Sequence, residues 1–170
     1  MSSTTQVTWE QFLEMEECEQ KQELLDGELI TLPPARLNHA DIALKIFRLL
    51  ESVPHGKRVW HEVGYRLRRG WLIPDVSVSW PDQPVVDGYI QRAPMIAVEV
   101  VSPTNRPSYI DKKTAVYLEE GAAEVWVVYP ENSSMTVLRK GNWERVTETY
   151  TCSLLNLSLD LRTIIPPQQS

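Results

Sequence analysis

At 170 residues and 42% hydrophobic side chains, the chain is long enough to bury a core without metal or disulfide staples, and it reads as one domain. A formal charge of −6 excludes a protein coated in phosphate-binding side chains but leaves room for a local basic groove. Cys18 and Cys152 have no metal-ligand spacing, and neither a signal peptide nor a membrane span is evident, so a cytoplasmic protein with no membrane partner is expected.

Taken in chain order, Thr8 with Gln11 three residues on forms a capping-box pattern and predicts a helix from Trp9 to Gln20. Asp26-Gly27 between Leu24-Leu25 and Leu29-Ile30 is a hairpin signal, because a type I′ turn needs positive φ at both central residues. Asn38 is placed to cap a helix running to Leu50 or Ser52, with His39, Ile42, Ala43, Ile46, Phe47, Leu49 and Leu50 as its apolar stripe. Arg58 to Leu67 reads as one strand. Arg66, Arg68 and Arg69 fall in the densest positive stretch of the chain and are the candidate DNA contacts.

Trp71 to Trp80 is the next predicted strand, with Asp75, Ser77 and Ser79 sharing one face and Val76, Val78 and Trp80 the other. Pro74 cannot donate to a ladder, so it belongs at a strand start or bulge and aims Asp75 at one spot. Residues 81–94 read as a surface connection. Met95 to Val101 is apolar and β-branched apart from Glu99, as in a strand covered on both faces, where an ionised carboxylate needs compensation. A helix follows from Ser108 to Glu120, closed by Gly121. Helical phase puts Ile110, Thr114, Tyr117 and Leu118 inward, Lys113 on their flank and Lys112 towards solvent. With Val125 to Tyr129 as a further buried strand, this makes a βαβ unit. Met135–Leu138 and Trp143–Val146 suggest a hairpin, and the alternating Leu155, Leu157, Leu159 and Leu161 are expected to close the sheet. The tail from Pro166 to Ser170 is expected to fray.

Asp75, Glu99 and Lys113 therefore converge. Two neighbouring carboxylates raise each other's pKa unless a cation lies between them, and a hard divalent ion meets that need. With a nearby ammonium, this is the equipment of metal-assisted phosphodiester hydrolysis. The alternative is structural pairing of Asp75 and Glu99 with an arginine such as Arg66 or Arg92.

Pro74-Asp75, Glu99 and a nearby lysine resemble the PD-(D/E)XK nuclease superfamily. More closely, the chain resembles the Uma-type family of restriction endonucleases (Uma-two). The resemblance runs from Glu23-Leu24-Leu25-Asp26-Gly27-Glu28-Leu29 and His39 through Pro74-Asp75-Val76 and Val98-Glu99-Val100-Val101-Ser102-Pro103. It continues through Lys113 and Tyr117 to Gly121–Pro130. It implies an α/β (α+β) restriction-endonuclease-like fold, a central mixed β-sheet flanked by helices with additional hairpins. It also implies Mg²⁺ (or Mn²⁺) held by Asp75, Glu99 and the carbonyl of Val100, with Glu23, Glu28 and His39 as further lining residues. Two departures stand out: Val101 replaces the lysine of the superfamily pattern, so Lys113 supplies the charge, and Tyr109 stands where an acidic residue is expected. The functional expectation is a Mg²⁺-dependent endonuclease acting on DNA as a homodimer. The alternative is a catalytically idle dimeric binding or regulatory protein of the same fold. Hydrolysis of a different phosphoester is not separated from these by sequence.

Overall fold

The computed structural model describes residues 6–15 and 19–166. Cys18 and the tail residues 167–170 lie outside the described residues. Thr8 caps helix α1 (Trp9–Glu14) with both bonds of the capping box, but the helix ends at Met15 rather than Gln20. Strands β1 (Gln22–Leu25) and β2 (Glu28–Thr31) turn at Asp26 and Gly27, whose φ angles of 51° and 80° are those of the expected hairpin. Helix α2 (Leu37–Ser52) starts one turn-position early: Arg36 is its N-cap and Asn38 is already helical, so no side chain caps it.

The expected strand 58–67 is two strands in different sheets, β3 (Val59–His61) and β4 (Tyr65–Leu67). The chain breaks at Glu62, which adopts φ 52°, and Gly64 lies against the Trp71 indole, where a Cβ would sit 1.9 Å from the ring. The run 71–80 divides likewise into β5 (Gly70–Leu72) and β6 (Val76–Val78), with Pro74-Asp75 at the junction. The presumed surface connection holds a small hairpin, β7 (Val85–Val86) and β8 (Tyr89–Ile90), turning at Asp87-Gly88.

Next come β9 (Ile96–Val100), α3 (Pro107–Glu119) and β10 (Glu124–Tyr129), with β9 and β10 parallel as the βαβ reading requires. The hairpin β11 (Ser134–Arg139) and β12 (Asn142–Val146) follows, then β13 (Thr149–Cys152), β14 (Leu157–Asp160) and α4 (Leu161–Ile164). The leucine alternation does not close the large sheet. β14 pairs with β13 alone, and Leu155, Leu157, Leu159 and Leu161 pack against the core by side chains.

The fold is α+β, built on a mixed six-stranded sheet ordered β12-β11-β10-β9-β6-β3. One face of it carries Ile96, Val98, Val100, Trp126 and Val128 against Ile42, Ala43, Ile46 and Leu50 of α2. The other carries Ala97, Val125 and Val127 against Ile110, Val116 and Tyr117 of α3 and against Tyr65, Leu67 and Leu72. Those last residues belong to a second six-stranded sheet, ordered β2-β1-β5-β4-β8-β7. Side chains alternate along β9, so Glu99 faces the α3 side with Ala97. No helix of the described residues is long and apolar enough to cross a membrane.

Candidate active site

β6 and β9 are antiparallel, with Val76 opposite Val98 and Ser77 opposite Ala97. Continuing that register by one residue sets Asp75 opposite Glu99, and directly opposed Cβ atoms in such a pair are roughly 5 Å apart. Both carboxylates are almost wholly buried, at 6% and 4% exposure. They line one pocket of about 430 Å³ with Glu23, His39, Val100 and Lys113.

Lys113 reaches this pocket from α3, as its helical phase predicts. It is 2% exposed, while Lys112 lies in solvent. Its Nζ lies 2.8 Å from Glu23 Oε1, 2.8 Å from Glu99 Oε1 and 2.9 Å from Glu99 Oε2, and it donates to the Ile73 carbonyl at 3.0 Å. An ammonium has three protons, and here all are engaged. Tyr117 donates its hydroxyl to Glu99 Oε1 at 3.2 Å. Glu23, fully buried, also accepts from the Ile73 amide at 2.7 Å and from the Tyr109 hydroxyl. Tyr109, the departure from the acidic residue expected there, is thus a donor to a carboxylate of the same cluster.

Asp75 is held differently. Its Oδ2 accepts from the Val100 amide at 2.7 Å and lies 3.3 Å from His39 Nε2, while Oδ1 lies 3.6 Å from Lys21. Burial alone would raise its pKa. The His39 hydrogen bond and the charges of Lys21, His39 and Lys113 prevail and hold it at about 2. Glu99 goes the other way. Burial pushes it up, Lys113 pulls it down, and the charges of Asp75 and Glu23 push it up again, to about 7. Lys113 is raised above the ordinary lysine range because the pull of Glu23, Glu99 and Asp75 exceeds the cost of burial. Glu99 and Lys113 are both raised, Lys113 by the carboxylates around it and Glu99 by burial and the neighbouring carboxylates. The geometry accounts for both: one ammonium is shared by Glu23 and Glu99, with Asp75 adding a third negative charge, so the lysine stays charged and Glu99 bears the deficit. His39 is shifted upwards, its burial outweighed by the hydrogen bond and charge of Asp75, and its Nδ1 is buried without a partner.

Of the other sequence candidates, Glu23 and His39 line the pocket, whereas Glu28 is exposed and lines a neighbouring one. The arginines are not brought to Asp75 and Glu99. Arg66 stacks 4.7 Å from the Trp9 ring, Arg68 pairs with Glu120 at 3.3 Å, and Arg69 pairs with Asp26 at 2.6 Å and Glu119 at 2.7 Å. Nor does an arginine neutralise the acids, since Arg92 pairs with Asp82 and stacks on Trp80. Lys21 went unnoticed in the sequence because a lone lysine before a hairpin carries no pattern. Tyr117 was legible as an inward-facing aromatic and as part of the family resemblance, but not as a donor to Glu99.

Among the described residues, no group of three or more His, Cys, Asp or Glu side chains is spaced to hold a metal ion. The expected ligand set instead combines two carboxylates with a main-chain carbonyl. As donors these are all hard oxygens and match a divalent ion such as Mg²⁺, which would offset the burial and the neighbouring carboxylates that raise Glu99.

Residues 9–165 match the model of the Uma2 family, described as putative restriction endonuclease. The chain belongs to this family. The crystal structure of a putative nuclease belonging to DUF820 from Anabaena variabilis ATCC 29413 has the same fold, with a TM-score of 0.85 at 22% identity over 94% of this chain and 97% of that one. No curated protein matches the chain. In this Uma2 member, Asp75, Glu99 and Lys113 line one buried pocket.

Proposed function

We propose that this protein is a Mg²⁺-dependent endonuclease, also served by Mn²⁺, that hydrolyses DNA phosphodiester bonds in the cytoplasm as a homodimer. Asp75, Glu99 and the Val100 carbonyl would hold the ion, with Lys113 assisting. The observation that carries this reading is a buried cluster in which two carboxylates from adjacent strands and a lysine from the helix after the second strand line one pocket. Family membership supplies the reaction class.

When bound, the ion supplies Lewis-acid polarisation of the phosphate and lowers the pKa of a water. The chain's own residues do the rest. The Val100 amide and His39 fix the orientation of Asp75. Lys113, kept protonated by its acidic neighbours, is not a general base; it positions Glu99 and contributes positive charge where negative charge develops on phosphate. Contact of its Nζ with substrate requires release of one present partner, and the neutral Ile73 carbonyl, at 3.0 Å, is the weakest held. A twofold dimer would present two such sites to two strands.

One observation favours a second reading, an idle binding or regulatory protein of the same fold: both oxygens of Glu99 are already engaged by Lys113 and Tyr117. Purified protein incubated with plasmid and single-stranded DNA, with and without Mg²⁺ or Mn²⁺, separates the two. Metal-dependent cleavage is expected, with Asp75→Asn and Glu99→Gln each about a hundredfold slower or worse. Wild-type rates in both variants would remove the site assignment. Binding without cleavage under every condition would favour the second reading.

A further inference from the structure

A second pocket of about 420 Å³ adjoins the first, and the two share Leu32, Pro33, Thr104, Asn105 and Tyr109 as walls. They form one continuous trough, with β2 and the segment after it on one bank and the start of α3 on the other. Charge is distributed unevenly along it. The first pocket has five carboxylates, Glu19, Glu23, Glu62, Asp75 and Glu99, against Lys21, Arg36 and Lys113. The second has Arg106 and Lys112 against Glu28 alone. Lys21 and Lys113 are bound to carboxylates. Arg36, Arg106 and Lys112 are exposed, and none is ion-paired with a carboxylate among the described residues. Arg68, Arg69, Arg92, Arg139 and Arg162 are paired, while Arg48, Arg58 and Arg145, exposed and likewise without an ion pair among the described residues, line neither of these pockets.

An acidic centre repels a polyanion, so a phosphodiester strand must be held by cations outside that centre. We infer that Arg106 and Lys112 bind backbone phosphates on one side of the Asp75–Glu99 pocket and Arg36 binds on the other, so that a nucleic acid strand lies along the trough. This rests on the reading of the protein as a nuclease and moves the binding surface from the Arg66–Arg69 stretch to the bank formed by α3. The contacts are to phosphate, so they position the strand without reading its bases.

The test is fluorescence anisotropy of labelled single-stranded and duplex oligonucleotides over a salt series, with Ca²⁺ in place of Mg²⁺. The variants are Arg106→Ala, Lys112→Ala, their combination and Arg36→Ala. Lys140→Ala, in the exposed β11–β12 turn, is the control, and urea unfolding confirms that each variant folds. Each single trough variant is expected to weaken binding and to reduce the slope of log K against log salt by roughly 0.7 for a single strand or 0.9 for a duplex, and the combined variant by about twice that. Lys140→Ala should change neither. Wild-type affinity and slope in the combined variant would overturn the inference while leaving the nuclease reading intact. Weakened binding with an unchanged slope would overturn the phosphate contacts in particular. If the wild type cleaves a small phosphodiester but binds neither oligonucleotide at low salt, the trough is wrong and a different phosphoester is the substrate. If it neither binds nor cleaves, both conclusions fall.

Discussion

Lys113 is the residue on which the candidate site balances. It is the cation that Glu23 and Glu99 share, and all three are buried. Removing one partner of a buried ionic set leaves uncompensated charge and costs about 3–5 kcal/mol. Lys113→Met is therefore expected to lower unfolding free energy at neutral pH by about that amount in urea titrations, while Lys112→Met changes it little. Glu99 has a distinct pH signature. Its pKa is raised from 4.5 to about 7 in the folded protein, so between those values the native state binds more protons than the unfolded state. Stability from this group is then fully present below pH 4.5 and is lost as pH rises through about 7. The metal-free wild type should lose about 2 kcal/mol between pH 5 and pH 7 that Glu99→Gln does not lose. Parallel pH profiles of the two proteins would show that Glu99 is not the group concerned. Val101, two residues beyond it, is half-buried and carries no charge, and the ammonium that meets Glu99 comes from Lys113 on α3.

At the scale of elements, the site depends on how β1 and β5 are held together. Glu23 on β1 accepts from Ile73, just after β5, and so fixes the approach to Asp75. Gly70 makes that pairing possible: its φ is 149°, and a Cβ there would lie 1.9 Å from the Leu24 carbonyl oxygen. Since backbone cannot move aside cheaply, Gly70→Ala should cost more than about 2 kcal/mol by urea unfolding. Gly141→Ala, in an open turn, should cost less. A second buried acid ties the C-terminal elements down. Glu124 accepts from Trp126 at 2.8 Å, Arg139 at 2.9 Å and Tyr150 at 2.8 Å, joining β10, β11 and β13. Every partner it needs is present. This acid is therefore structural; Glu99, by contrast, shares the one ammonium it contacts with Glu23.

At the scale of the whole molecule, the proposed metal binding would be linked to folding. An ion that binds only the native state stabilises it by RT ln(1 + [L]/Kd), about 2.7 kcal/mol at a hundredfold excess over Kd. Mg²⁺ or Mn²⁺ should accordingly raise the melting temperature of the wild type, EDTA should reverse the rise, and Asp75→Asn should abolish it. A shift of equal size in that variant would place the ion elsewhere.

The local patterns were sufficient for β9, α3 and β10, for the Asp26-Gly27 hairpin and for the phase that buries Lys113 rather than Lys112. Each is set by neighbours within a few residues, which periodicity and turn chemistry report directly. The same patterns joined β3 to β4 and β5 to β6, because a break caused by Glu62 at positive φ or by the Trp71 ring over Gly64 comes from contacts distant in sequence. The chain alone thus pointed to a convergence of Asp75, Glu99 and Lys113, from the Pro74 junction, the carboxylate inside the apolar run 95–101 and the phase of α3. Only the tertiary structure decided their partners: Glu23 from β1, itself bonded by Tyr109 of α3, Tyr117 from α3, His39 from α2 and Lys21 before β1. Those pairings span long stretches of chain, and electrostatic compensation depends on distance in space, which sequence spacing does not encode.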